Sequence, residues 1–484
     1  MKPTRYRSLA AASLLVGLIF GATEVRPARR PHYGGTLRVE MQEPVLSLDP
    51  EAVVTNPAGA AAKEKLMALV FETLIRFGER GEPRAALASS WSVSGDRKSW
   101  IFILRDGIKF TDGTALSPAE IAPLLRVLHA DWQVTGGISR SGSISSAWIE
   151  ISTKTSRPDV PLELAAARNS IIHRGADGSI AGTGPFRVAE WQPGRRAVFT
   201  ANEDYWEGRP FLDSIDVQMG RAARDQLIDV EVGRSDLVEI SPEQARRAAE
   251  HGTRIWASEP DQLFALVFTK GWLAAEDQRL REALSDSIDR AALANFVLQK
   301  EAEPAGGILP QWLSGYEFLF PAAADPAHGR ELISQISPLP STLLLGYDLS
   351  DALGQAVAER IAVNASDAGI RVSTKGLAPG VSSGIGARVV RLRMTSPDSA
   401  GALEGYLRSA GIQPSPLAAA TPEDMYDRER EVLENYRIVP VLHVPEVFGL
   451  SSRLKDWMPA RWGEWRLADV WLDPAAEPLA GAQR

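Results

Sequence analysis

Three residues stand in the order that acyl-transfer chemistry would need. Gly380-Val381-Ser382-Ser383-Gly384 matches the pattern G-x-S-x-G, and Asp398 and His443 follow it in the order serine, acid, histidine. Such a serine is activated on a strained turn between an incoming strand and an outgoing helix. Here Pro379 precedes the motif and Arg388 to Met394 reads as a strand, so the context opposes a hydrolase and leaves Ser382 as a low alternative. Metal chemistry has less support. The six histidines, at 32, 129, 173, 251, 328 and 443, occur singly, with no HExxH pair and no cysteine to assist them. Gly182-Thr183-Gly184-Pro185 lacks the lysine of a phosphate loop and leads into a strand, where a phosphate site needs a helix N-terminus. No catalytic residue, metal or cofactor is expected.

The absence of cysteine also excludes disulfides, thiolate nucleophiles, iron–sulfur clusters and a lipid-bearing cysteine. A chain of 484 residues with 44% hydrophobic and 24% charged residues is long enough for two large lobes stabilised by packing alone. Its charge is uneven. Residues 1–30 sum to +5, so a total of −8 leaves −13 on the remainder. So acidic a body is a poor partner for nucleic acid, whose backbone needs clustered cations. Lys2, Arg5 and Arg7 precede an apolar run from Leu9 to Ala22, too short for a membrane span of roughly 20 residues. Residues 1–28 therefore read as a signal peptide, with an uncleaved anchor as the alternative, and the body as periplasmic or extracellular and not a lipoprotein.

The elements that must position any site alternate between strand and helix. A strand is expected at 34–41 and a helix over 60–77, with Leu66, Leu69, Val70, Leu74 and Phe77 on one face. Trp100 to Leu104 reads as a strand, and Ser117-Pro118-Ala119-Glu120 as a capping box that starts a helix. Phe186 to Trp191 and Ala197 to Thr200 flank Gln192-Pro193-Gly194-Arg195 as a hairpin. Gln278 to Leu298 reads as one long helix. Leu343 to Tyr347, Ala352 to Ala365 and Ile370 to Thr374 form a strand–helix–strand unit, which implies parallel pairing and an α/β fold. Thr421-Pro422 starts a further helix, and a strand follows at Val439 to Val444.

Several blocks, in one order, resemble the family 5 extracellular solute-binding proteins, the peptide- and nickel-binding receptors of ABC importers. They are GGTLRVEMQEPVLSLDP at 34–50, LVFETLIRFGERGEPRAALASSWSVSGDRKSWIFILRDGIKFTDGTALSPAEI at 69–121, GTGPFRVAEWQPGRRAVFTANEDYWEGRPFLDSIDV at 182–217 and DQRLREALSDSIDRAAL at 277–293. Gly307 to Tyr316 is similar to a further loop of the family.

The resemblance implies a two-lobed periplasmic-binding-protein-like fold, type II and cluster C-like, with a small domain inserted in the first lobe. Lobe I would comprise 34–60, 183–262 and 440–480, the inserted domain 61–182 and lobe II 263–439. It implies a solute-binding protein of an ABC importer that closes on a short peptide, works as a monomer with a permease in the membrane and catalyses nothing. A sensory or structural module without a transport role is the alternative. Family members that bind peptides hold the ligand amino group with an aspartate; the corresponding stretch here is Arg393-Met394-Thr395-Ser396-Pro397-Asp398-Ser399, so Asp398 becomes the candidate carboxylate. Phe268, Thr269, Met394 and His443, near the expected lobe crossings, complete the candidate ligand-binding set.

Overall fold

The strand Gln262–Phe268 is buried at every residue, and its alternate side chains point into two different cores. Phe264, Leu266 and Phe268 pack among Leu284 of the helix Gln278–Ser287 and Val357 and Ile361 of the helix Ala352–Asp367. Leu263, Ala265 and Val267 pack on the other side, among Leu403 and Tyr406 of the helix Ser399–Ser409 and Met425 and Leu433 of the helix Pro422–Leu433. A strand covered on both faces must be apolar at odd and even positions alike, which explains the run QLFALVF. It lies inside a six-stranded sheet ordered Glu303–Pro304, Ile438–Val444, Gln262–Phe268, Ala387–Arg393, Leu343–Asp348, Val372–Leu377. The expected strand–helix–strand unit closes this sheet, with Leu343–Asp348 parallel to Val372–Leu377.

The computed structural model describes residues 30–474 apart from 55, 142–143, 271–275, 317–321, 338–341, 379–383, 414–420 and 460–464. The proposed signal segment and Ser382 thus lie outside the described residues. The described residues from His32 onward hold together as one unit.

The first sheet in chain order, which makes the six-stranded one the second, has seven strands, ordered Phe186–Gln192, Arg196–Ala201, Ser214–Gln218, Thr36–Glu40, Leu237–Ile240, Val447–Leu450, Arg254–Ala257. Leu37, Val39, Ile215, Val217, Ala197 and Phe199 present one face of it to Leu66, Met67 and Val70 of the helix Pro57–Val70. A third sheet, of four strands between Ala88 and Ser152, packs Trp100, Phe102, Ile149 and Ile151 against Ile121 and Leu125 of the helix Pro118–Leu128. The chain passes between the two large sheets twice, at 258–261 and at 445–446. The crossings are tied side by side: the Ser258 N–H donates to the Glu446 carbonyl at 2.9 Å, and the Glu446 N–H to Ser258 Oγ at 2.8 Å.

Three local expectations are corrected. The first helix ends at Val70, not near 77, because Phe71 turns extended and frees Glu72 to face the 182–206 region, while Ile75–Phe77 becomes a strand. Ser117 does begin a helix, but no capping box forms: Ser117 makes no side-chain cap, and Glu120 bonds His173 Nδ1 at 2.9 Å instead. The helix from Gln278 stops at Ser287. Asp289 then caps a new turn by accepting the Ala292 N–H at 2.8 Å, and a π-helical stretch follows over Leu293–Val297. A hydrophobic stripe does not register such a break, whereas a carboxylate competing for backbone N–H groups does.

The glycines of Gly182-Thr183-Gly184-Pro185 serve close packing. A Cβ on Gly184 would lie 2.7 Å from the carbonyl oxygen and carbon of Val70, and one on Gly182 nearer still. The end of the first helix therefore docks directly on this backbone, with the Gly184 N–H donating to Val70 O at 2.9 Å. Gly184→Ala is expected to destabilise the fold by about 1–3 kcal/mol through overpacking against main chain that cannot retreat, read as a lowered midpoint in urea unfolding.

Candidate functional site

A cleft of about 840 Å³ opens where the two crossings meet the first helix. Its walls come from both large sheets: the helix Pro57–Val70 with the segment after it on one side, and Met394 to Pro397, at the end of the strand Ala387–Arg393, on the other. Asp261 and Glu446 of the crossings lie between them, and Tyr205 and Trp206 add aromatic surface.

The base of the cleft is an ion cluster assembled from the first helix, both large sheets and the crossings. Lys65 is buried and sits 3.0 Å from Glu446 and 3.3 Å from Glu239, at the end of the first sheet. Arg393 of the second sheet pairs with the same Glu446 carboxylate. Lys65 Nζ also lies 4.9 Å above the Phe448 ring. Burial works to raise the Glu446 pKa, but Lys65 and Arg393 overrule it and hold the carboxyl below its usual value. Asp261 behaves oppositely. Burial, reinforced by the nearby Glu446 charge, pushes it up to about 8, so at neutral pH it is protonated and two cations face two carboxylates.

This has a consequence for stability. An unfolded Asp releases its proton near pH 3.9, whereas folded Asp261 keeps it until about 8. Between those values the native state binds the extra proton, so its stability falls as pH rises through the window. Asp261→Asn is expected to lose that dependence: the difference in unfolding free energy between variant and wild type should move in the variant's favour from pH 4 to pH 8.

A second cluster braces the wall. Glu72 accepts from Thr183 Oγ1 at 2.7 Å, Trp206 Nε1 at 2.9 Å and the Tyr205 hydroxyl at 3.0 Å. Burial pushes its pKa up to about 7 against the pull of those donors. Arg105 lies over the Trp206 ring at 4.8 Å, and Arg76 pairs with Glu207 at 3.1 Å. The brace thus joins residues of the VFET, LRDG, GTGPF and DYW segments. Glu72→Ala, which leaves buried Thr183 and half-buried Trp206 without their acceptor while Tyr205 keeps Glu207 at 3.2 Å, is expected to cost about 1–3 kcal/mol in urea unfolding.

Of the five residues expected to touch ligand, Met394 lines the cleft. Phe268 is buried in the core at the far end of its strand, and Thr269 beside it donates its N–H to Gly386 O at 3.0 Å. Asp398 caps the helix Ser399–Ser409 by accepting the Gly401 N–H at 2.8 Å and also takes a bond from Ser396 Oγ. His443 is buried, with Nε2 3.0 Å from Ile308 O; burial pushes it down to about 4, so it is a neutral donor held in the core. The acid and histidine of the hydrolase pattern are therefore engaged elsewhere, and a strand, Ala387–Arg393, follows Gly384. Sequence reading missed Glu64, Lys65, Glu72, Asp261, Arg393 and Glu446. Lys65 did leave a signal, a buried charge in a helix whose other buried positions, Lys63 aside, are apolar. Among the described residues no group of three or more His, Asp or Glu is placed to hold a metal ion, and no helix is long and apolar enough to cross a membrane.

Two α/β layers joined by adjacent crossings, with a cleft at the joint, define a two-lobed solute-binding receptor fold. The fold recurs in NikA of Staphylococcus aureus in complex with Ni(L-His)2 (TM-score 0.75, 15% identity, 90% of this chain and 100% of that one). It recurs also in the oligopeptide-binding protein AppA of Bacillus subtilis in complex with a nonapeptide (TM-score 0.71, 14% identity, 92% and 100%). Residues 82–388 match the bacterial extracellular solute-binding proteins, family 5 Middle, and the chain belongs to that family. It is 23% identical over 342 residues to the probable D,D-dipeptide-binding periplasmic protein DdpA of Escherichia coli, covering 64% of each chain. It is 24% identical over 324 residues to the nickel-binding periplasmic protein of the same organism, covering 62% of this chain and 61% of that one. The match spans less than two thirds of both curated relatives.

Proposed function

We propose that this protein is an extracytoplasmic receptor that captures a short peptide between its two lobes and delivers it to an ABC permease, without catalysis. The observation that carries this reading is the cleft of about 840 Å³ walled by both sheets around the paired crossings. A ligand held there touches both walls only when they are close together, so it shifts the balance between open and closed forms by its differential affinity for the two. Its volume falls in the range of ligand clefts, roughly 300–1,000 Å³. The lining mixes apolar and aromatic surface with carboxylates and guanidinium groups, which suits the zwitterionic backbone of a peptide. The absence of cysteine and the basic, then apolar N-terminus support export as a signal-bearing protein that carries no lipid.

Intrinsic tryptophan fluorescence is a direct test, because Trp206 and Trp465 line the cleft. Titration with di- to pentapeptides is expected to give a saturable change and a raised melting temperature. Saturation by nickel–histidine or oligosaccharide with no response to any peptide contradicts the peptide reading, and no response to any small solute contradicts the receptor.

A further inference from the structure

The ion cluster and the Glu72 brace account for most charges facing the cleft, but Glu64 takes part in neither. It stands on the cleft side of the first helix with Ala61 three residues before it and Ala68 four after, and both line the cleft beside it. The helix packs against the turn Ala167–Asn169, and Ala165, Ala166 and Ala167 supply the neighbouring wall. The result is a carboxylate exposed to the cleft among alanines too short to fill the space around it. Among the described residues no hydrogen-bond donor or cation pairs with it. The two cations whose charge reaches it are engaged elsewhere: Lys63 donates to Ala52 O at 2.7 Å, and Arg168 pairs with Glu163 at 2.6 Å.

We infer that Glu64 is the subsite for a positively charged nitrogen of the ligand, an ammonium or guanidinium group seated in the alanine-walled recess. The inference rests on the receptor reading above and adds the charge of the preferred solute. The recess has the parts such a subsite needs: room from the small walls, a single acceptor for the cation, and no internal cation to displace. Desolvation by the protein around the recess, one side of which stays open to the cleft, also pushes Glu64 up to about 7, against the lesser pull of Arg168 and Lys63. A cation that keeps its own charge is held more tightly there at pH 8 than at pH 6, as the carboxylate ionises; Glu72 and Asp261 face the same cleft and ionise in the same range, so the Glu64 share is the part that the Glu64→Gln variant loses.

Calorimetry on wild type and Glu64→Gln tests this with five probes: trialanine, N-acetyl-trialanine, Ala-Lys-Ala, Ala-(Nε-acetyl-Lys)-Ala and the diamine cadaverine. Removing the recognised charge by acetylation is expected to weaken binding to wild type by about tenfold or more and binding to the variant by less than about twofold. Whichever acetylation has this effect identifies the seated group as the peptide N-terminus or the side chain. Wild-type affinity for cadaverine and Ala-Lys-Ala, whose amines stay charged, should also rise between pH 6 and pH 8 while that of Glu64→Gln rises less; a peptide α-ammonium, which itself titrates near 8, gives no such readout. Equal binding of every charged and acetylated probe by both proteins, with no pH dependence, overturns the inference. Cadaverine binding that depends on Glu64 while no peptide binds upholds it and overturns the peptide reading alone.

Discussion

The structure turns on the pairing of Lys65, Glu446 and Arg393 at the joint between the sheets. Each charge is contributed by a different part of the chain: the first helix, the returning crossing and the last residue of a strand in the second sheet. A buried charge left alone is strongly unfavourable, so these groups must meet, and their meeting fixes how far the helix stands from the second sheet. The cleft exists because this contact holds its base together while the walls above diverge. Protonated Asp261 completes the arrangement by removing what would be a third carboxylate beside two cations.

The fold was legible where its cause is local. The apolar run from Val439 to Val444 read as a strand, and the spacing from Leu343 to Thr374 implied a parallel unit. Where tertiary demands cut a periodic pattern, reading failed. Leu74 and Phe77 continue the stripe of the first helix, yet Phe71 ends it so that Glu72 can serve the Thr183, Tyr205 and Trp206 donors. Glu120 fits a capping box by spacing, yet a histidine more than fifty residues on supplies its partner.

The site was less legible, for a related reason. Asp398 followed a proline before a helix, and the same position that suggested a ligand carboxylate makes an N-cap. His443 was polar in an apolar strand and found its partner in a backbone carbonyl. The residues at the base of the cleft are separated by hundreds of positions, from Lys65 to Glu446, and no spacing rule links them; only the closing of two sheets on one joint brings them within 3.0 Å. A carboxylate such as Glu64 reads in sequence as one more solvated charge, and its setting among alanines becomes visible only once the wall opposite is in place.

The central claim is that the lobes move together on a guest. Small-angle X-ray scattering of the protein with and without a saturating peptide addresses it directly. The account predicts a smaller radius of gyration and a shorter maximum dimension in the complex; identical curves for the free and fully occupied protein would contradict it.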